Sequence, residues 1–188
     1  LEKNPGYGLI HSNYYVLYAC GRKKIGHTFK DKNHFSGMLF DKLLEQNIIC
    51  PATTCFRRDL FERYVDFDFA VRNELMTIDI FIWLAICKNS ETYYQNEIMS
   101  TWRMSDNSIS NNANTSKYIS FVESSLLIYK YYYEKYYIQR ENYQRVVAKM
   151  YLQIVRWCLF QNDYVTARKY LPFINLMSIE TVYLRIML

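Results

Sequence analysis

One carboxylate, Asp79, lies within a run that is otherwise apolar, Ile78–Leu84. If this run is helical, Asp79 and Trp83 are four residues apart and lie on the same side of the helix. Apolar surroundings make the charged form of a carboxylate costly, and enzymes use such environments to build general bases. The residue types and their spacing therefore indicate a candidate general base beside an aromatic ring.

A second interpretation of Asp79 needs no chemistry. An aspartate near the start of a core helix can cap the helix, or it can favour the positive end of the helix dipole. Both interpretations predict a helix that begins close to Asp79. The local sequence leaves both of them open.

Other residue types with catalytic or metal-binding potential show no useful spacing. The five cysteines include no Cys-x-x-Cys pair, and the three histidines, His11, His27 and His34, are scattered. An odd number of cysteines in a chain of this size argues against a disulfide framework and indicates a reducing, cytoplasmic environment. We expect no metal site in this chain, because the histidines lack metal-ligand spacing.

Composition limits the classes of protein to be considered. The chain has 188 residues, of which 51% are hydrophobic and 22% charged, with a formal net charge of +5. These values are typical of a globular protein, and they permit an anionic ligand without requiring nucleic acid. No apolar stretch reaches the roughly 18 residues of a membrane span, and no signal-peptide pattern is present.

The elements around Asp79 follow from apolar periodicity and turn residues. The pattern predicts strands over Gly8–Leu17 and Ile25–Phe29, then a helix over Gly37–Gln46 capped by Ser36. After it come a strand broken near Pro51 within Asn47–Phe56, a helical turn from Arg57 and a loop over Val65–Asn73. The Asp79 helix follows and ends near Lys88, and one or two strands are predicted over Thr92–Trp102.

The character of the chain changes from Lys117, where apolar residues recur at helical spacing. We therefore predict an α/β region over residues 1–115, with a small mixed sheet, and an all-helical region over residues 116–188 that ends in a helix from Ser178 to Ile186. Tyrosines concentrated in Tyr129–Tyr137, with Lys130 and Lys135, suggest stacking on nucleic acid bases. An amphipathic helix that packs its aromatic rings explains the same spacing without a ligand, and we favour it.

The segment Asn47–Ser110 resembles the family-two glycosyltransferases, which are inverting enzymes of the GT-A fold. The resemblance rests on motifs that appear in the family's order: Asn47-Ile48-Ile49, Thr53-Thr54, Phe56-Arg57-Arg58-Asp59-Leu60-Phe61, Asp79-x-x-x-Trp83-Leu84 and Trp102-Arg103-x-x-x-x-Ser108-x-Ser110. The opening residues, Leu1–Tyr14, resemble the stretch that follows the family's Asp-x-Asp motif.

The resemblance implies transfer of a sugar from a nucleotide-sugar to an acceptor hydroxyl in polysaccharide or lipopolysaccharide synthesis. It makes Asp79 the base, places Trp83 on the acceptor side and Arg103 near the diphosphate or acceptor, and assigns Asn47 and Thr54 to substrate binding. It also implies a glycan or lipid-linked acceptor, a cytoplasmic location at the inner face of the membrane, and peripheral membrane contact.

The sequence departs from the family pattern at three points. Ile78 stands where an acidic residue often precedes the base, and Ser105 stands where the family often has histidine. The nucleotide-binding portion and the Asp-x-Asp motif, which would carry Mg or Mn in the full-length enzyme, are expected before Leu1. We therefore expect the chain to be inactive alone, to hold no cofactor, and to self-associate through sheet edges that the missing portion would cover.

A different class of function also fits part of the sequence. Residues Phe160–Leu171 are similar to one helix of a tetratricopeptide repeat, although no period repeats along the chain. This similarity predicts a non-enzymatic helical module that binds another protein. Nucleic-acid binding is disfavoured, because the positive charge is neither high nor clustered.

Overall fold

The computed structural model describes residues 1–27, 32–105 and 114–174. The chain divides into two compact units, Leu1–Ser105 and Asp106–Leu188. The first unit combines a four-stranded mixed sheet with helices, and the described part of the second unit is helical. The α/β class that the sequence predicts is confirmed at this coarse level.

Strand β1, Tyr7–Leu17, is the centre of the sheet in the first unit. It pairs in parallel with β4, Glu91–Arg103, along its whole length. It also pairs antiparallel with β2, Lys23–Ile25, near one end and with β3, Cys55–Phe56, near the other. Because β4 occupies one edge of β1, β2 and β3 share the opposite edge.

The helices of the first unit follow one another between β2 and β4. They are α1, Phe40–Glu45, α2, Arg58–Tyr64, α3, Phe67–Arg72, and α4, Ile78–Asn89. Helix α4 contacts α1, α2 and β1, and its buried residues occur around its whole circumference. Phe81, Leu84 and Ile86 are each 0% exposed. Burial of such side chains contributes about 1.5–3 kcal/mol each, so α4 is a firmly held scaffold.

The loop predicted over Val65–Asn73 is wrong, because α3 occupies most of it. The Asp66 carboxylate accepts a hydrogen bond from the Phe69 amide at 2.9 Å and caps the helix. The Phe69 ring stacks on Phe81 of α4, with ring centroids 5.7 Å apart. A six-residue helix is too short to be stable by itself, and this aromatic contact with α4 stabilises it.

The predicted N-cap at Ser36 is also wrong. Helix α1 begins at Phe40 with Leu39 in the capping position, and the Ser36 hydroxyl instead accepts a hydrogen bond from the Tyr94 amide at 3.0 Å. Gly37 has a φ of +87°, which interrupts a helix, and it forms a bridge with Thr92. The serine therefore attaches this loop to the start of β4.

The strand predicted over Asn47–Phe56 is mostly irregular. Pro51–Thr53 form a 3₁₀ turn, consistent with the predicted break near Pro51, and only Cys55–Phe56 pair with β1. The returning strand of the first hairpin, β2, ends at Ile25, earlier than predicted. Residues 28–31 lie outside the described part of the chain.

The second unit contains α5, Thr115–Lys135, α6, Arg140–Phe160, and α7, Tyr164–Tyr170. Its core gathers residues of all three helices, among them Val122, Val155 and Ala167. Of the clustered tyrosines in α5, Tyr129, Tyr132 and Tyr133 are buried, in agreement with the amphipathic interpretation. The helix predicted from Ser178 lies outside the described residues. Within the described residues, no helix combines the length and apolar character that a bilayer span requires.

Candidate active site

The first turn of α4 contains the predicted base, Asp79, which is partly exposed. The residue in the capping position is Thr77, and its hydroxyl caps nothing. Instead, Thr77 Oγ1 donates a hydrogen bond of 2.6 Å to Asp79 Oδ1. A threonine cap normally accepts a hydrogen bond from a backbone amide and is worth about 1 kcal/mol to a helix. Here the helix loses that cap, and the hydroxyl holds a carboxylate.

Trp83 lies one turn further along α4 and is 3% exposed. Its ring contacts Phe56 of β3 edge to face, with centroids 5.6 Å apart. The indole Nε1 is buried and has no hydrogen-bond partner in the described part of the chain. An unpaired buried donor costs about 1–3 kcal/mol, so this N–H group has an unused capacity to bind an oxygen atom of a ligand or water.

Cys50, in the irregular segment between α1 and β3, lies within electrostatic range of Asp79. Burial raises the pKa of the Cys50 thiol, and the negative charge of Asp79 adds a smaller increase in the same direction. The same segment contains two predicted substrate-binding residues, Asn47 and Thr54. Among the described residues, no hydrogen bond joins Asn47 or Thr54 to Asp79 or Trp83.

The side chains of Asn47 and Thr54 take part in local turns. The exposed Asn47 accepts a hydrogen bond from the Ile49 amide at 3.2 Å, and the Thr54 hydroxyl donates to the Pro51 carbonyl at 2.8 Å. These bonds stabilise the irregular segment between α1 and β3. Each side chain keeps further hydrogen-bonding capacity, because an amide and a hydroxyl have more than one donor or acceptor position.

Arg103, the predicted phosphate-binding residue, is exposed at the end of β4 opposite Leu17 of β1. Its guanidinium makes no hydrogen bond or ion pair with the described residues. The role of Arg103 in phosphate binding therefore stays a prediction.

The two arginines at the start of α2, Arg57 and Arg58, have structural partners. The Arg57 guanidinium donates to the carbonyl groups of Tyr7 at 2.8 Å and Leu1 at 2.6 Å, so it holds the first residues of the chain against β3. Arg58 forms an exposed ion pair with Glu62 at 2.7 Å. An ion pair of this kind contributes about 0.3–0.5 kcal/mol.

Sequence reasoning missed a second group of polar side chains inside the sheet. His11 of β1 is 0% exposed, and its Nε2 donates to the Phe35 carbonyl at 2.8 Å. Burial lowers the pKa of His11 to about 4, and burial likewise lowers the pKa of His27. The alternation of β1 was the available signal, because it places His11 on the same face as Leu9.

Thr77 and Cys50 were also missed. Thr77 has the sequence position of an ordinary helix cap, and that role hides its contact with Asp79. Cys50 carries no motif, and only the path of the chain places it near α4. No sequence signal identifies either contact.

Metal-binding side chains and similarity to known proteins are two further indications of function. The described residues contain no group of three or more His, Cys, Asp or Glu side chains that could hold a metal ion. Comparisons of the chain with protein-family models, with curated proteins and with solved structures found no match. The residues and contacts around Asp79 are therefore the remaining indication of function.

Proposed function

We propose that the first unit is the acceptor-side half of a family-two glycosyltransferase with a GT-A fold. In this proposal the complete enzyme transfers a sugar from a nucleotide-sugar to an acceptor hydroxyl during polysaccharide or lipopolysaccharide synthesis. The supporting observation is the Asp79 carboxylate, partly exposed at the first turn of a buried helix and held at 2.6 Å by Thr77. A carboxylate that is both accessible and oriented meets the main requirement for a general base.

The proposed chemistry is one displacement. The acceptor hydroxyl gives its proton to Asp79 while its oxygen forms a bond to the anomeric carbon of the donor sugar. The bond from that carbon to the nucleotide phosphate breaks, and the nucleotide leaves with the electron pair. Because the oxygen attacks opposite the leaving group, the configuration inverts. A positioned base of this kind contributes about 10²–10⁴ in rate.

The other predicted residues have roles that suit their environments. The Trp83 indole N–H, buried without a described partner, would donate to an acceptor oxygen. Asn47 and Thr54 would bind substrate hydroxyls through their remaining hydrogen-bonding positions. Arg103 would stabilise negative charge on the diphosphate or acceptor, as a fixed guanidinium does.

In this proposal, the nucleotide-sugar donor is bound by residues of the complete enzyme other than the described ones. The family resemblance implies a Mg or Mn ion in the full-length enzyme. The described residues contain no group of three or more His, Cys, Asp or Glu side chains that could hold such an ion. We place the enzyme in the cytoplasm at the inner membrane face, because a lipid-linked acceptor would be presented there.

The test compares two variants of the native protein in its source cells. Asp79→Asn keeps the shape of the side chain but removes the base. Asp41→Asn makes the same change at an exposed first-turn position of α1 and is the matched control. Incorporation of labelled nucleotide-sugars into membrane extracts is measured, with protein abundance measured by immunoblot. We expect a loss of at least about 100-fold for Asp79→Asn and none for Asp41→Asn. Near-full incorporation with Asp79→Asn would remove Asp79 from the base role.

A further inference from the structure

The second unit exposes apolar side chains where α6 meets α7. Phe160 is 76% exposed, Val165 is 83% exposed and Tyr164 is 53% exposed. Single exposed apolar residues are ordinary, whereas several at one place mark a surface that binds a partner or a membrane. We call Phe160, Tyr164 and Val165 the α6–α7 patch.

The connection between the two helices is a fixed turn. Asn162 has a φ of 59°, its amide donates to the Leu159 carbonyl at 3.0 Å, and the Asp163 amide donates to the Cys158 carbonyl at 2.8 Å. These two bonds form a Schellman motif, which ends a helix in a defined way. The Asp163 carboxylate then accepts a hydrogen bond from the Thr166 amide at 3.0 Å and caps α7.

This turn keeps the patch together. Three residues separate Phe160 from Tyr164, so their Cα atoms lie within about 14 Å of each other. Because the turn is bonded on both sides, the apolar side chains are presented by a preformed surface. A preformed surface loses less conformational entropy when it binds.

The chain segment that carries the patch has mostly positive charges. Between Arg156 and Phe173 the sequence contains three basic residues, Arg156, Arg168 and Lys169, and one acidic residue, Asp163. Arg168 and Lys169 follow Tyr164 and Val165 by four residues on α7, and all four are exposed. Asp163 is already bonded as the helix cap, and its hydrogen bonds with Thr166 lower its pKa, so it remains ionised in that role.

We propose that the α6–α7 patch docks the protein on an anionic lipid bilayer. Exposed aromatic and aliphatic side chains enter the boundary between headgroups and acyl chains, and flanking lysine and arginine residues attract anionic headgroups. The lysine and arginine residues also predict that the protein prefers anionic to neutral bilayers, because a neutral bilayer offers them no partner of opposite charge. This surface acts independently of Asp79, and it supplies the membrane contact that a lipid-linked acceptor requires.

Vesicle flotation of the intact protein tests the docking surface. The vesicles contain either phosphatidylcholine alone or phosphatidylcholine with phosphatidylglycerol at about 7:3, a mixture that gives a strongly negative surface. One double variant, Phe160→Ser with Val165→Ser, removes apolar surface. A second, Arg168→Gln with Lys169→Gln, removes charge. The control, Tyr137→Ser, changes a side chain that is 94% exposed in the connection between α5 and α6.

We expect the unchanged protein to float with the anionic vesicles and not with the neutral ones. The charge variant should bind about 10- to 30-fold more weakly, because each cation near the surface is worth about a factor of five. The apolar variant should lose at least about tenfold, and Tyr137→Ser should bind as the unchanged protein does. Thermal unfolding confirms that each variant is folded.

Two results would overturn this assignment. Either the unchanged protein fails to float with anionic vesicles, or both double variants float as well as the Tyr137→Ser control. The first result, together with salt-sensitive binding to an acidic protein, would assign the patch to a protein partner. Asp79→Asn should float normally, so failure of the docking surface is distinguishable from failure of the proposed transfer reaction.

Discussion

The hydroxyl of Thr77 donates a 2.6 Å hydrogen bond to the carboxylate of Asp79, across the first turn of α4. Thr77 is 8% exposed, so water does not readily replace its hydroxyl in this contact. The bond gives one oxygen of the Asp79 carboxylate a fixed partner, and the other oxygen can accept a proton from a substrate hydroxyl. This geometry is the basis of the first prediction.

Thr77→Val should lower the free energy of unfolding by about 1–2 kcal/mol, because a hydrogen bond to a charged group is lost while the side-chain shape is kept. Thr77→Ser keeps the hydroxyl and should change stability much less. Urea unfolding measures both variants, and a double-mutant cycle with Asp79→Asn isolates the pair. A coupling energy close to zero would show that the bond has no energetic role.

Tyr137 has a φ of 51° and occupies the left-handed position that ends α5. Its side chain is 94% exposed, so burial of the ring does not offset the strain of the backbone. Tyr137→Gly should raise the free energy of unfolding by about 0.5–1 kcal/mol. The control is Tyr136→Gly, at a residue with a φ of −110°, where glycine should destabilise. Thermal unfolding of both variants checks the difference in sign.

Tyr170 of α7 donates a 3.0 Å hydrogen bond to Glu123 Oε1 of α5. Burial, together with this bond and the negative charge of Glu123, raises the pKa of Tyr170 to about 12. The folded protein therefore holds this proton more tightly than the unfolded chain, so this contribution to stability is present below pH 10 and falls as pH rises from about 10 to about 12.

The prediction for Tyr170→Phe follows from that bond. Stability at pH 8 should fall by about 1 kcal/mol, and the alkaline loss attributable to Tyr170 should disappear. Tyr164→Phe is the control, because the Tyr164 hydroxyl lies at an exposed position, 3.4 Å from Asn162. Urea unfolding at pH 8 and at pH 11 distinguishes the variants. Equal alkaline sensitivity in both would contradict the prediction.

The buried His11 should make stability depend on pH in the opposite direction, with a loss of stability at acid pH. Its pKa is lowered to about 4 by burial, whereas an unfolded histidine has a pKa of about 6.5. Between these values the unfolded chain binds more protons, so stability is complete above about pH 6.5 and falls as pH falls toward about 4. The corresponding free energy is about 3 kcal/mol.

His11→Gln keeps a donor for the Phe35 carbonyl but removes the titrating ring. We expect this variant to lose less stability between pH 7 and pH 4.5 than the unchanged protein. Urea unfolding at several pH values gives the free energy of unfolding of each protein. The change in that free energy between pH 7 and pH 4.5 is then compared between the variant and the unchanged protein. An identical acid response in the two proteins would exclude His11 as its source.

Strand β4 exposes large apolar side chains along the edge of the sheet. Tyr93, Ile98, Met99 and Trp102 are between 36% and 62% exposed, with Met99 the most exposed. Edge strands with such surfaces pair with other copies, so we expect dimers or larger species. Met99→Lys should shift the population toward monomer, whereas Met38→Lys, at a residue 60% exposed elsewhere, should not. Light scattering at high concentration measures the size of the species in solution. A monomeric unchanged protein would contradict the expected self-association.

The sequence alone determined the helices and strands that local residue patterns predict. The apolar run around Asp79 predicts α4, the β-branched and aromatic residues of Gly8–Leu17 predict β1, and the helical spacing after Lys117 predicts α5 and α6. For α5 and α6 the signal is helical periodicity, whereas for α4 and β1 it is an uninterrupted run of suitable residue types bounded by turn residues. Asp79 and Trp83 therefore share one side of a helix by spacing alone.

Only the tertiary structure decided which partners the short elements and polar side chains have. Helix α3 exists because Phe69 stacks on Phe81, and Ser36 bonds Tyr94 because Gly37 turns the chain toward β4. Thr77 holds Asp79 instead of capping its helix. A hydroxyl has several acceptors and donors within reach, and a six-residue helix is marginal by itself. Contacts formed on folding therefore select one outcome that local sequence leaves undetermined.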